Sequence, residues 1–410
     1  MNYVIIGNSA AAVGCVEGIR SIDKTGSITV ISDEPHHVYS RPLISYLLYG
    51  KTDREKMKYR PDDFYEKNSV TALFGVTAEK VDYEAKKVVL NNGSSVAFDK
   101  LLFATGSSPF VPPMEGLDTV PKKFSFMKLD DAMALEEAIG PQSRVLIVGA
   151  GLIGLKCAEG IRGKVRELTV VDLAPRILPS ILDEEGSDMV QKHIEKQGIT
   201  FHLGTSVARF GAEKAELKNG ETVEFDVLVL AVGVRPNTAL AAEIGCKVNR
   251  GIVSDEHCRT NLDGIYAAGD CSESYDITED QYRVLALWPN AYMQGETAGI
   301  DMAGGNQLYD KAIPMNAIGF FDLHVITAGS YAGEAYVTRT EDTYKKLITK
   351  DNLLKGFILI GEIARAGIYT SLIREKTPLD TVDFELIRER PQLMAFAAPE
   401  RAVKLGGAKA

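Results

Sequence analysis

Residues 3–20 read YVIIGNSAAAVGCVEGIR and residues 145–162 read VLIVGAGLIGLKCAEGIR, so one strand–turn–helix pattern is written twice in the chain. With Gly7 laid on Gly149, Cys15 falls on Cys157, Glu17 on Glu159, and Gly18-Ile19-Arg20 on Gly160-Ile161-Arg162. Each copy is followed by a second apolar segment, ITVIS at 28–32 and LTVVD at 168–172. LLFATGSSP (101–109) matches LVLAVGVRP (228–236), so the likeness extends over a domain-sized unit. Short apolar runs alternating with helix-length segments dictate parallel sheets with crossover helices, here two of them. The chain is therefore expected to be α/β, with a doubled Rossmann-like unit.

The second copy carries Gly149-x-Gly151-x-x-Gly154 between strand and helix, with Leu152 and Ile153 opening the helix. In such a turn the first glycine permits the tight bend and the second lets the backbone approach a pyrophosphate. The third lets helix and strand pack closely, and the helix N-terminus faces the phosphates. Asp172 ends the next strand, where a carboxylate accepts both ribose hydroxyls and repels a 2′-phosphate, which favours NAD(H). Arg176, four residues on, is able to pair with a 2′-phosphate and leaves the choice of coenzyme open. The first copy departs from the pattern: Gly7-Asn8-Ser9-Ala10-Ala11-Ala12 replaces the second and third glycines with small residues. Ser32 stands where Asp172 would, followed by Asp33-Glu34. One unit binds one dinucleotide; two in one chain imply two cofactors brought face to face, the arrangement of hydride transfer between a nicotinamide and a flavin.

Along the chain, 3–7 reads as a buried parallel strand, 8–22 as its helix and 28–32 as the next strand. The segment 33–66 is a polar, aromatic excursion. VTALFG, KKVVL and SSVAFD read as short antiparallel strands before LLFAT returns to the sheet. GIYAAGD (264–270) is a further buried strand that rejoins the first unit, so the second unit is inserted in the first. A helix follows, with Pro289 at its start and Gly304-Gly305 past its end. Residues 311–380 form a smaller unit with a hairpin turning at Asp351-Asn352. The tail 386–410 carries Arg388, Arg390, Arg401, Lys404 and Lys409 against Glu389 and Glu400, a surplus of three positive charges.

Composition narrows the function. A net charge of −10 argues against nucleic acid as a partner, since phosphate binding needs a basic face. The first strand begins at residue 3 and no run of 18 uncharged apolar residues occurs, so neither a leader nor a membrane span is expected and the cytoplasm is the expected compartment. The five cysteines, Cys15, Cys157, Cys246, Cys258 and Cys271, form no close pair, and no protein-bound metal is expected.

These residues together resemble the two-Rossmann-fold FAD/NAD(P)H oxidoreductases, a group that includes rubredoxin reductases, NADH oxidases, coenzyme A-disulfide reductases and the flavin part of nitrite reductase. The resemblance covers residues 1 to about 325 and rests on the two turns, ATG at 104–106, VGVRPN at 232–237 and IYAAGD at 265–270. It implies a FAD-binding domain of 1–110 and 237–310, an NAD(H)-binding domain of 111–236 inserted in it, and a small α+β C-terminal interface domain of 311–410. It assigns Gly7, Ser9, Ala10, Ala11, Asp33, Glu34, Arg41, Thr105, Gly106, Asp270, Leu287 and Trp288 to FAD. Gly149, Gly151, Leu152, Ile153, Gly154, Asp172 and Gly233 fall to NAD(H). Trp288, the sole tryptophan, reads either as a core aromatic or as a neighbour of the flavin.

Three departures refine what the resemblance implies. Relatives with thiol chemistry place a cysteine where this chain has Pro42, so a disulfide relay is not expected. Relatives often carry glutamate at the position of Lys156, near the nicotinamide; Lys156 is either a solvated helix lysine or a positive charge beside the nicotinamide. Some relatives place lysine where Tyr46 stands. With no cysteine beside it, reduced FAD needs an external acceptor: an iron–sulfur or rubredoxin-type protein, or an iron–sulfur subunit of a larger complex, as in anaerobic aldehyde or phenylglyoxylate oxidation. Direct oxidation by O₂, or a docking and signalling flavoprotein with slow turnover, are the competing expectations. The C-terminal domain would serve either dimerisation or docking. Its basic tail suits an acidic electron carrier, and its removal is expected to spare reduction of a small artificial acceptor.

Overall fold

The computed structural model describes residues 1–406, and Lys409 of the tail lies outside them. The described residues divide into two compact units, one of 1–180, 191–274 and 282–310, the other of 181–190, 275–281 and 311 onward.

The first unit holds the doubled sheet. Five parallel strands run in the order Val70–Phe74, Ser27–Ser32, Asn2–Ile6, Lys100–Phe103, Ile265–Ala267. The second sheet repeats that order with Ile199–Leu203, Glu167–Asp172, Arg144–Val148, Val227–Leu230 and Lys123–Phe124. Only the fifth strand differs in origin, coming late in the chain for the first sheet and early for the second. Each sheet has its own three-stranded antiparallel appendage: Ala78–Asp82, Lys87–Leu90 and Ser95–Ala97, and then Val207–Phe210, Lys214–Leu217 and Thr222–Glu224. The central strands are apolar throughout because both faces are covered, one of them by the antiparallel appendage: Val4, Ile6 and Leu101 cluster with Val81, Val88 and Leu90, and Leu146, Val148 and Leu228 with Phe210, Ala215 and Leu217, while Ile5, Leu102 and Ile147 are fully buried as well.

One expectation fails here. VTALFG does not join KKVVL and SSVAFD; its residues 70–74 form the parallel edge strand paired with 28–32. A half-exposed edge strand carries the same pattern as one arm of a hairpin, and periodicity alone does not separate them. The third antiparallel strand is AEKVD at 78–82, whose charges hid it.

Helix Ala10–Ile22 crosses helix Trp288–Met302 at close range. A Cβ at Gly295 would stand 1.9 Å from the Ala11 carbonyl oxygen, and one at Gly14 would stand 2.2 Å from that of Tyr292. Small residues on both helices thus fix where each N-terminus points. Two short antiparallel strands, Ser107–Pro109 and Val234–Pro236, pair Pro109 with Val234 where the chain leaves and re-enters the first sheet's neighbourhood.

The second unit is an antiparallel sheet in the order Met315–Phe320, Leu323–Gly329, Leu353–Ile360, Tyr344–Lys350, Glu334–Arg339. Its tight turn uses Asp351 and Asn352, both at positive φ. Helix Ala366–Arg374 packs on the sheet. The tail is part of this core: Ile387, Ala395 and Phe396 are buried, and the Tyr369 hydroxyl donates to the Ile387 carbonyl at 2.9 Å. Arg388 pairs with Glu385, and Lys404 pairs with Glu375 at 3.1 Å. Cutting at 386 would open this core, so removal of the tail carries a cost in stability.

Candidate functional site

The two turns adopt one geometry. Gly7 has φ +122° and Gly149 φ +119°. A Cβ at Gly7 would lie 2.0 Å from the Ala104 carbonyl oxygen, and one at Gly149 would lie 2.2 Å from that of Ala231. Any side chain at either position collides with the neighbouring strand's backbone, in a conformation L-residues rarely adopt. Gly154 needs glycine for a different reason: its Cβ would meet the Gly149 carbonyl oxygen at 2.0 Å. At Gly151, which caps helix Leu152–Ile161, nothing lies within 4 Å, so the backbone there is open to a ligand. Ser9 caps helix Ala10–Ile22 without a side-chain hydrogen bond, and its hydroxyl and the first-turn N–H groups of Ala10 and Ala11 are left for an anion.

Around the first turn, the structure gathers most of the residues assigned to FAD. Thr105 and Gly106 follow strand 100–103; Thr105 Oγ1 donates to the Asn237 carbonyl at 2.6 Å, and Asn237 Nδ2 donates back to the Thr105 carbonyl at 2.8 Å. Gly106 is at φ +64° with open space beside it. Asp270 accepts from Ser107 Oγ at 3.1 Å; burial pushes its carboxyl upward, while Ser107 and the charge of Arg41 pull it back. A half-buried carboxylate with lone pairs to spare fits a hydroxylated chain such as the ribityl group of FAD.

The acidic pair splits. Glu34 is buried, accepts from the Tyr39 hydroxyl at 2.7 Å and is paired with Arg41. Asp33 is exposed and forms a 2.6 Å ion pair with Lys128. Tyr39 also accepts from the Leu129 amide at 2.9 Å, so this loop is tied to the start of helix Leu129–Ala138. Leu287 caps helix Trp288–Met302, and the Trp288 ring meets Tyr59 edge-on at 5.0 Å between centroids. Tyr59 was not foreseen, since nothing local in the sequence ties it to position 288.

At the second turn, Asp172 accepts from the Ala150 amide at 2.5 Å and the Ala174 amide at 2.7 Å. It thus organises the turn. Gly233, at φ +112°, has open space around it. Lys156 is no solvated surface lysine: it pairs with buried Glu159 and lies over the Tyr46 ring, 4.4 Å from its centre. Its counterpart in the first copy was also missed. Glu17 accepts from Arg60 Nε at 2.6 Å and Arg60 Nη2 at 2.9 Å, and from the Tyr292 hydroxyl at 2.7 Å. The repeat that lays Glu17 on Glu159 was the available signal for both pairs.

The five cysteines are free and buried, and burial pushes every one of their thiols upward. Pro42 lies in the short helical turn Arg41–Leu43 where a redox cysteine would be needed. Among the described residues no helix is long and apolar enough to cross a membrane.

Comparisons with known proteins agree with this geometry. The chain is 32% identical over 390 residues to the NADH-dependent phenylglyoxylate dehydrogenase subunit epsilon of Aromatoleum evansii, covering 92% of each. It is 32% identical to a rubredoxin-NAD(+) reductase of Alcanivorax borkumensis, over 66% of this chain and 72% of that one. It also matches nitrite reductases, of whose length it spans less than half. The crystal structure of a covalent putidaredoxin reductase–putidaredoxin complex shares the fold with a TM-score of 0.87 at 21% identity, covering 99% of this chain and 98% of that one. The family model for pyridine nucleotide-disulphide oxidoreductases matches residues 1–295, and the chain belongs to that family, whose members hold FAD and take NAD(H) as substrate.

Proposed function

We propose that this flavoenzyme exchanges electrons between NADH and an iron–sulfur or rubredoxin-type protein in the cytoplasm, without a redox cysteine. The observation that carries the reading is the pair of glycine turns, Gly7 and Gly149, in one conformation at the ends of two sheets of the same strand order. The names of the phenylglyoxylate dehydrogenase subunit and the rubredoxin reductase support the class of partner. On this reading residues 1–110 and 237–310 form the FAD domain, 111–236 the NAD(H) domain and 311–410 an interface domain for dimerisation or docking.

FAD, when bound, couples a two-electron hydride donor to one-electron carriers. The chain's own residues bind and orient. Ser9, Ala10 and Ala11 receive one pyrophosphate at a helix N-terminus, with Gly7 clearing the backbone for it. Asp270, Thr105 and Gly106 line the hydroxylated chain. Arg41 and Asp33 hold the adenosine side, Arg41 being fixed by Glu34. Leu287 and Trp288 exclude water beside the ring, Trp288 being braced by Tyr59. Gly149, Gly151 and Gly154, with the N–H groups of Leu152 and Ile153, receive the second pyrophosphate, and Asp172 takes the ribose. Lys156, held by Glu159, contributes a fixed positive charge near the nicotinamide. Positioning is the main catalytic contribution, and no obligatory acid or base is needed.

The test is an anaerobic NADH titration of the purified protein, followed by rubredoxin, ferredoxin and co-purified iron–sulfur subunits. Stoichiometric bleaching by NADH and reoxidation by a carrier protein well above the rate with O₂ are expected. Reoxidation by O₂ that outpaces every carrier would replace this reading with that of an NADH oxidase.

A further inference from the structure

Three elements of the first unit meet at one carboxylate. Glu17 stands on helix Ala10–Ile22, Tyr292 on helix Trp288–Met302, and Arg60 in the excursion between the second and third strands. Arg60 donates to both oxygens of Glu17, and Tyr292 donates to one of the same two. The guanidinium also lies over two rings, 4.4 Å from the centre of Tyr59 and 5.7 Å from that of Tyr292. Its Nη1 donates to the Tyr59 carbonyl at 2.9 Å. A planar guanidinium forked onto a carboxylate has one orientation, so the rings beneath it are fixed with it.

Tyr59 carries that fixing to Trp288, whose indole it meets edge-on with the two planes 81° apart. Tyr292 stands four residues beyond Trp288 on the same helix, so both lie on one face of it. The second copy of the repeat carries a like arrangement. Glu159, the equivalent of Glu17, is paired with Lys156, whose ammonium lies over Tyr46, another ring of the excursion. In each copy a helix carboxylate thus holds a cation over an excursion tyrosine. The side chains of Glu17 and Arg60 are 30% and 23% exposed, so solvent screens the pair and its electrostatic worth is modest. Its larger contribution is orientation.

We propose that Glu17, Arg60 and Tyr292 are positioning residues that hold Tyr59 against Trp288, keep the indole beside the flavin ring and so shield the reduced ring from O₂. The inference rests on the proposed reading of Trp288 as the flavin's neighbour. When the shield opens, two electrons and two protons pass from the reduced ring to O₂, which leaves as hydrogen peroxide. When it is closed, the electrons are kept for the protein acceptor. None of the three residues bonds to the second glycine turn, so reduction by NADH does not depend on them.

The experiment uses the FAD-loaded full chain, reduced anaerobically with NADH and then mixed with O₂. It reads the rates of flavin reduction, flavin reoxidation and peroxide formation, and the acrylamide quenching of Trp288, the sole tryptophan. Tyr292→Phe removes one hydrogen bond from the clamp and should speed reoxidation by O₂ about fivefold, the factor to which one lost hydrogen bond corresponds. Arg60→Lys keeps the charge without the fork and should act in the same direction. Both should make Trp288 easier to quench and leave flavin reduction by NADH at its wild-type rate. Glu17→Leu with Arg60→Met removes both charges, which restores stability but not the stack on Tyr59, so the indole should stay accessible and reoxidation fast. Wild-type values in that double variant, an indole no more accessible in any variant, or a freed indole with reoxidation unchanged each overturn the proposal. If FAD-loaded wild type emits at Trp288 as brightly as FAD-free protein, the reading of Trp288 as the flavin's neighbour is wrong, and the shielding falls with it.

Discussion

The ammonium of Lys156 lies 4.4 Å from the centre of the Tyr46 ring, on the side of the helix where Glu159 is buried. The ammonium thus answers a carboxylate that has almost no access to water. Lys156→Met should destabilise the protein by about 3–5 kcal/mol, because it leaves that carboxylate buried with a lost partner. Lys156→Met with Glu159→Leu should recover most of the loss, since replacing both charges removes the desolvation cost along with the pair. Denaturant midpoints of the three variants check this; an unrescued double variant would show that Lys156 acts outside the pair.

How far the sequence spoke depends on whether the deciding contact is local. Gly7 and Gly149 were legible because a bend at positive φ against a neighbouring carbonyl admits only glycine, and the rest of the turn follows within a few residues. The strand 70–74 was misplaced because its partner, parallel or antiparallel, lies elsewhere in the chain. The Tyr59 ring against Trp288 was not legible, because nothing local ties position 59 to position 288. Two of the tail's positive charges, Arg388 and Lys404, pair with acids outside the tail, Glu385 and Glu375, which counting charges within 386–410 does not reveal.

Asp172→Ala should weaken NADH binding by about 1–3 kcal/mol, the range for a lost charged hydrogen bond. FAD content should stay normal, because no hydrogen bond of Asp172 reaches the first turn. The same change frees the amides of Ala150 and Ala174, so part of the loss will appear as a looser turn. Parallel titrations of NADH affinity and flavin content separate these outcomes from a wrong assignment, in which FAD would be lost equally.

Glu17 gives the first unit a defined acid response. Burial pushes its carboxyl up, but hydrogen bonds from Arg60 and Tyr292 outweigh burial and hold it below the usual glutamate value. A carboxylate lowered on folding stabilises above its unfolded pKa, and that stability is lost as pH falls through the folded value. Stability should therefore decline as pH drops below about 4.3. Glu17→Gln should cost about 1–2 kcal/mol at neutral pH and flatten that decline. Unfolding midpoints across the acid range provide the measurement.

Trp288 is the sole tryptophan, so its emission reports one place. If it lies beside the flavin, FAD-loaded protein should fluoresce weakly near the indole maximum and brighten when FAD is removed. Equal emission in both forms would return Trp288 to the role of a core aromatic.

Buried thiols and Pro42 together predict indifference to thiol chemistry. Alkylating reagents should react slowly with the native protein, and treated protein should keep its rate of flavin reduction by NADH. Coenzyme A-disulfide should not be consumed. A fast-reacting thiol whose loss stops flavin reduction would contradict the proposed mechanism.

The pairing of Pro109 with Val234 has a consequence for how such a protein can be remade. Residues facing each other on adjacent antiparallel strands stand about 5 Å apart, the reach of a two-residue turn. On the proposed division, everything between them could be excised and the gap closed without moving either end. The same neighbourhood of ends would let a different nucleotide-binding module be grafted into the gap, with Asn237 still fastened to Thr105 as the seam.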